Sequence, residues 1–293
     1  MRLHDVVGVF LAATAAACAP LAAQTPVTLR YAPRVGALVR TVTRSDGRIS
    51  YRELDEAAQP VGDSVVGEMT SLSGITRRIL EGTDSTRAVE VSYDSLKTRA
   101  RLLGQAWKES ALSDADKVAL TLTLDEQLHT VAGGSGGLAA DPVANGGIAS
   151  WRGVPLPGHP ISLGAVWAVQ TVYRLPTQLG DLLDLSVRDS IMANAIVKLD
   201  SVVLQTHDTL MYLTVRESFG PVTLPATDAG EPATAHVAGS QAASLVWSTA
   251  WNAFVSGASR ARVVARLVST SESGNVRKGQ VTWNVTTRLQ VRL

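Results

Sequence analysis

The end of the chain alternates. Val281, Trp283, Val285, Leu289, Val291 and Leu293 are apolar at every second position, with Thr287 filling one place in the series. Gln280, Thr282, Asn284, Thr286, Arg288, Gln290 and Arg292 between them are polar. Period two over such a length belongs to a β-strand with one face buried and the other wet. Ser259–Thr270 precedes it, and the turn-forming cluster Ser271-Glu-Ser-Gly-Asn275 separates the two. An isolated hairpin is marginal in water. The rest of the chain must therefore supply the surface that covers its apolar face.

Upstream segments read the same way. Val27–Tyr31 is a short edge strand ended by Pro33. Arg34–Arg44 is rich in β-branched residues and stops at Ser45-Asp-Gly47, a hairpin-turn signal, so Arg48–Leu54 is expected to pair back on it. Asp55–Asp63 is a polar loop. Val65–Leu80 and Thr86–Tyr93 flank a second turn cluster, and Val118, Leu120, Leu122 and Leu124 alternate with small or polar residues. Lys97–Lys108 and Leu182–Ala195 fit helix or strand equally. Ser110–Lys117 and Leu179–Leu185 are the best short helices. The expected class is mainly β: long antiparallel meanders forming curved sheets or an open or half barrel, with few short helices.

Four stretches divide the chain. Residues 1–23 are an export signal, with Arg2 ahead of the apolar run Val6–Ala17, which is too short to span a bilayer as a helix. Residues 24–132 and 155–293 are two β-meander halves. Residues 133–154 are a connector rich in glycine and proline, as in Gly133-Gly-Ser-Gly-Gly137 and Asn145-Gly-Gly147. Matches between the halves, such as Val35-Gly-Ala-Leu38 with Leu163-Gly-Ala-Val166, recur at offsets of roughly 123 to 128 residues, which suggests internal duplication.

Cys18 is the only cysteine. The chain beyond the signal therefore has no disulfide, thiolate metal site or cysteine nucleophile, and it depends on its core. Two processing routes fit, cleavage after Ala23 or acylation of Cys18 within Ala15-Ala-Ala17-Cys18, with an uncleaved anchor as the remaining alternative. Either route places the protein outside the cytoplasm, in the periplasm or at the outer membrane of a bacterium. No further apolar run is long enough for a transmembrane helix. The net charge of +1, with basic residues such as Arg77, Arg78, Arg260 and Arg262 spread along strands, argues against a nucleic-acid partner.

Catalytic patterns fail on context. Gly133-Gly-Ser135-Gly-Gly137 matches a nucleophile elbow in letters, but Pro142 and Gly146-Gly147 forbid the helix that must follow. His129, His159, His207 and His236 are isolated, without metal-ligand spacing. The carboxylates of Asp114/Asp116, Asp181/Asp184 and Glu53/Asp55/Glu56 sit in polar stretches that read as solvated surface. No cofactor is expected, and the chain is read as non-enzymatic. Trp167, Trp247, Trp251 and Trp283 lie in the predicted strands of the second half, where they either fill a core or line an apolar cavity.

The export signal, the strand opening Leu163-Gly-Ala-Val-Trp167, the long meanders and the closing alternating hairpin resemble bacterial envelope proteins of uncharacterised function with an open β-barrel related to periplasmic lipoprotein carriers. In such carriers a curved sheet holds acyl chains in an apolar concavity. The resemblance implies a non-enzymatic role in binding a lipid or another hydrophobic ligand, and assigns no residue to a site. The alternative is a structural or protein-interaction module of the envelope, with a filled core and no ligand. The partners expected are thus a hydrophobic ligand or another envelope protein.

Overall fold

The computed structural model describes residues 26–111, 119–132, 152–174, 181–187, 190–271 and 273–292. The export signal, Cys18 and residues 133–151 of the connector lie outside the described residues, while Val154 at its end is buried. The strands are β1 (Leu38–Leu54), β2 (Pro60–Ile79), β3 (Thr86–Leu102), β4 (Lys108–Ala111), β5 (Leu120–Asp125), β6 (Thr130–Ala132) and β7 (Val166–Arg174). They continue as β8 (Leu185–Val187), β9 (Ser190–Leu204), β10 (Thr209–Asp228), β11 (Glu231–Ser248), β12 (Ala253–Thr270) and β13 (Val276–Arg292). One 3-10 turn, Asp181–Leu183, is the sole helical element among the described residues. The fold is the mainly β, curved antiparallel sheet that the alternation predicts.

All thirteen strands belong to one sheet, in the order β6-β5-β3-β2-β1-β13-β12-β11-β10-β9-β7, with β4 on the edge of β3 and β8 on β10. Most neighbours in the sheet are consecutive in the chain; β3 pairs with β5, β7 with β9 and β8 with β10, and the largest jump is that the first strand, β1, pairs with the last, β13. That pairing extends from Arg40 opposite Arg292 to Leu54 opposite Lys278. The two halves are therefore two arms of one sheet.

The sheet curls, because one apolar cluster draws on both arms. Val89 and Val91 of β3 and Leu122 and Leu124 of β5 share it with Leu199, Leu213, Leu245 and Trp247 of β9, β10 and β11. Two irregular segments fill the space between. Val27 forms a single bridge with Ile161, and Leu29, Tyr31, Leu156 and Ile161 are buried in the same cluster. The Tyr31 amide donates to the Glu126 carbonyl at 2.8 Å, and the Leu156 amide to the Gln127 carbonyl at 3.0 Å. These bonds tie both segments to the β5–β6 turn. A second cluster occupies the other end of the interior, built from Ile49, Met69, Tyr173, Phe219, Val237, Val263 and Trp283.

The closing hairpin forms as its alternation dictates. Val281, Trp283, Val285, Thr287 and Leu289 are buried, while Arg288 and Gln290 are exposed. Other local readings give way to long-range pairing. Ser45-Asp-Gly47 is not a turn, and β1 runs straight through it. Gly47 lies opposite both Met69 and Val285, so ladders on either side hold it extended. Asp46 faces outward, where its carboxylate accepts from Arg44 at 3.1 Å and from Thr70 Oγ1 at 3.1 Å. Val27–Tyr31 is not an edge strand, since its apolar side chains are spent on the core. The Asp55–Asp63 loop is shorter than expected, because β2 already begins at Pro60. Lys97–Leu102 and Ser190–Ala195 settle as strand.

Candidate functional site

Between the two apolar clusters lies a belt of buried polar side chains. Thr98 stands opposite Ser71, and Ser71 opposite Ser45. Ser45 in turn faces Thr287, and Thr287 faces Ser259. These five hydroxyls cross β3, β2, β1, β13 and β12 in one row, and all are buried. Ser45 and Thr287 are hydrogen-bonded at 3.1 Å. Thr287 is the polar residue that filled one apolar place in the sequence alternation, and the row explains it.

On the far arm the belt continues as Gln241 of β11 and Glu217 of β10, which face each other in register. Glu217 is 3% exposed, and Thr171 Oγ1 of β7 donates to its Oε1. The contact reaches across β9, which is possible because β9 presents only Ala193 and Ala195 inward there. Burial pushes the Glu217 carboxyl above its ordinary range, and the Thr171 hydrogen bond offsets part of that. Tyr173 stacks on Phe219 with ring centroids 4.6 Å apart. Its hydroxyl is pushed well up by burial, and the nearby Glu217 charge adds to the effect. Tyr173 OH, Glu217 Oε2, Ser73 Oγ and Trp283 Nε1 are buried without a hydrogen-bond partner among the described residues.

Among the described residues, Glu217 is the one ionisable side chain in this belt. Glu217 has no second carboxylate or histidine in the row, and no group of three or more potential metal ligands exists among the described residues. Sequence reading missed Glu217. The signal was a charged residue at an inward place in the β10 series Leu213, Val215, Glu217, Phe219.

The four tryptophans do not gather. Trp247 packs edge-on against Phe254, centroids 5.0 Å apart, in the first apolar cluster. Trp283 is buried in the second. Trp167 is half-buried, with its Nε1 3.4 Å from the Pro155 carbonyl. Trp251 is exposed at the β11–β12 turn, on the rim of a cavity of only ≈ 10 Å³ lined also by Tyr31, Arg77 and Phe254. The remaining candidates are dispersed. His129 pairs with Asp125 at 3.0 Å, His236 with the Thr223 hydroxyl at 3.0 Å, and Glu53 with Arg277 at 3.0 Å. His159 and His207 are exposed. Burial raises the Asp181 carboxyl. Ser135, Asp114 and Asp116 lie outside the described residues.

The outer face of the central strands differs from the inner one. A groove of ≈ 660 Å³ runs over β1, β13, β12, β11 and β10, walled by Arg48, Arg216, Arg260 and Arg262. The sequence spreads these arginines over more than 200 positions, and strand register gathers them: Arg48 and Arg262 both flank Asn284. The reading of basic residues as scattered is corrected by this pairing.

No protein-family model matches the chain, and no curated protein matches its sequence. Among solved structures, it is similar to an outer membrane channel from Pseudomonas putida F1, with a TM-score of 0.33 and 9% identity over 89% of this chain and 97% of that one. It is also similar to OpdD of Pseudomonas aeruginosa, with a TM-score of 0.25 and 8% identity over 88% of this chain and 99% of that one. Overlap this slight leaves the functional argument to this chain's own residues.

Proposed function

We propose that this protein is a non-enzymatic module of the bacterial cell envelope, a barrel-like scaffold with a filled interior that acts through its outer surface. The observation that carries this reading is the packing of the interior. Trp247 and Phe254 fill one end, Trp283 and the Tyr173–Phe219 stack fill the other, and a hydroxyl belt crosses between them. An acyl chain needs a continuous apolar path, and the belt interrupts it. The cavity under Trp251, at ≈ 10 Å³, is about one water centre in size.

The envelope location rests on the export signal read from the sequence. The orientation of the faces supports a water-facing outer wall around β1, β13 and β12. Membrane-spanning barrels carry an apolar band outward and polar residues inward. Here Arg44, Arg48, Arg260, Arg262 and Arg288 point out at mid-strand, and valines, leucines and tryptophans point in. A patch on the far arm, where Val166, Val172, Met192 and Ile196 are 48–60% exposed, offers a surface of the kind that protein partners cover.

Binding of a hydrophobic ligand in the sheet concavity is the competing reading, and one experiment separates the two. Purified protein is solvent-extracted for mass spectrometry and titrated with a fluorescent fatty acid. The filled-scaffold reading expects no saturable quenching of tryptophan emission and no extracted lipid that the fatty acid displaces. Saturable binding that lipid displaces would establish the carrier reading instead.

A further inference from the structure

We infer that the outer arginine groove is a binding site for a phosphorylated ligand, either a free polyphosphate-type anion or the phosphate of a phospholipid headgroup. The argument begins with register. One outward row reads Arg48, Asn284, Arg262, Ser240 across β1, β13, β12 and β11. The next row reads Asp46, Thr286, Arg260, Ala242, Arg216 and ends on β10. Within each row the two arginines stand two strands apart, roughly 10 Å, and the rows are two residues apart, about 7 Å. Four guanidinium groups therefore stand along a floor of small side chains, Arg260 and Arg262 at its centre and Arg48 and Arg216 at its two ends, about 20 Å apart. Ser240, Asn284 and Thr286 add hydroxyl and amide groups to that floor.

Charge balance points the same way. Asp46 is the single carboxylate on the outer floor of the groove, and it already accepts from Arg44 and Thr70. Arg48, Arg216, Arg260 and Arg262 are exposed and make no ion pair with the described residues. Elsewhere on the same surface arginines do find acids, as Arg101 does with Glu68 at 2.8 Å and Arg40 with Asp94 at 3.3 Å. Arg260 and Arg262 stand two residues apart on β12, and Arg48 and Arg216 each lie about 10 Å to one side of that pair. Glu68 stands opposite Arg48 on β2 but is held by Arg101. Neighbouring cations at about a Debye length repel, and an anion seated between them relieves that repulsion. Arginine is the side chain suited to it, since it stays charged and its planar fork matches phosphate oxygens two at a time. The groove's ≈ 660 Å³ falls in the range of small-ligand sites. Its floor is a paired sheet, so the arginines stand on a rigid base. The patch is compact and the net charge of the chain is only +1, which favours a small phosphorylated group over a nucleic-acid strand needing a longer basic track.

The inference stands apart from the state of the interior and is tested apart from it. The full chain is titrated calorimetrically with inorganic pyrophosphate at low salt, and separately sedimented with phosphatidylglycerol or phosphatidylcholine vesicles. The test variant is Arg260→Gln/Arg262→Gln. Its charge-matched control is Arg266→Gln/Arg288→Gln, also on the outer face but off the groove. All four positions are exposed, so thermal unfolding should be unchanged in both variants. The expected result is one saturable pyrophosphate site that the test variant weakens at least tenfold and the control leaves nearly intact. If binding to phosphatidylglycerol vesicles falls in step, the source is a lipid headgroup; if vesicles do not bind, it is a free phosphorylated anion. Absence of saturable binding, or equal weakening in both variants, would overturn the site.

Discussion

The curled sheet has two seams, and they are closed by different means. At β1·β13 the first and last strands are joined by a continuous backbone ladder, with buried side chains such as Trp283 and Ile49 facing each other beneath it. At the opposite seam, between the arms that end in β6 and β7, the described strands do not pair. There the join is made by the segments around Leu29 and Leu156, through buried apolar contacts and a few amide hydrogen bonds. A ladder is cooperative and saturates every peptide group it covers. A plug of irregular chain depends on side-chain fit, and it opens at lower free energy. The molecule is thus zipped on one side and stoppered on the other.

That contrast is open to attack, beginning where the effect should be largest. Trp283→Ala, under the zipped seam, should cost about 3–5 kcal/mol in a denaturant titration, the usual range for a large buried aromatic. A loss below about 1 kcal/mol would mean that the side chain is not in the core. Leu156→Ala, in the stopper, should cost about 2–3 kcal/mol. It should also speed hydrogen exchange at β7 and the β5–β6 turn while leaving β1 and β13 amides exchanging only by global unfolding. Uniform acceleration would show that both seams open together.

Asp208 gives a smaller effect at the stoppered end. It accepts from Ser248 Oγ at 2.6 Å and from the Ala250 amide at 2.9 Å, clipping the β9–β10 turn to the β11–β12 turn. Partial burial works against its charge, but these bonds with those from Thr249 and Thr209 outweigh it, and its carboxyl is held below the ordinary value of 3.8. Its contribution is therefore present above that value and lost as pH falls through the lowered one. Asp208→Ala should cost about 1.5–3 kcal/mol at neutral pH, as loss of charged hydrogen bonds does. The gap from the parent should close in acid. A gap independent of pH would assign the loss to packing.

The smallest effect is expected at Glu217. Its raised carboxyl means that the folded state holds the proton more tightly, so its burial costs stability increasingly as pH rises above the unfolded value near 4.5. Glu217→Gln should flatten the dependence of Tm on pH, moving in the variant's favour from acid to neutral. Parallel curves would show that the Thr171 contact, and not the charge, sets the cost of this site.

The parts legible in the sequence are those where the pattern is local. Alternation placed Val281, Trp283, Val285 and Leu289 inward, and the cluster after Thr270 formed its turn. Ser45-Asp-Gly47 misled because a hairpin signal concerns only four residues, whereas two neighbouring ladders act on the whole of β1. The arginine groove was illegible for a related reason. Arg48 and Arg262 become neighbours only once β13 lies between them, and spacing along the chain carries no trace of that. Glu217 did leave a trace, a charge in an apolar phase, but its partner Thr171 is fixed by the alanines of β9, which read as ordinary strand.

The pairing of first strand with last also sets a timetable. Ser45 waits for Thr287, 242 residues later, before its hydroxyl has a partner. Until the chain closes that loop, one edge of β1 has no native strand to receive. Long-range closure of this kind makes folding slow, and an open strand edge is a template for wrong partners. The residue types on β1 suit that interval. Arg40, Arg44, Arg48 and Arg52 recur along its outward face with Asp46 as the one acid among them, so any stray strand docking on that edge must bring its side chains alongside a predominantly basic row.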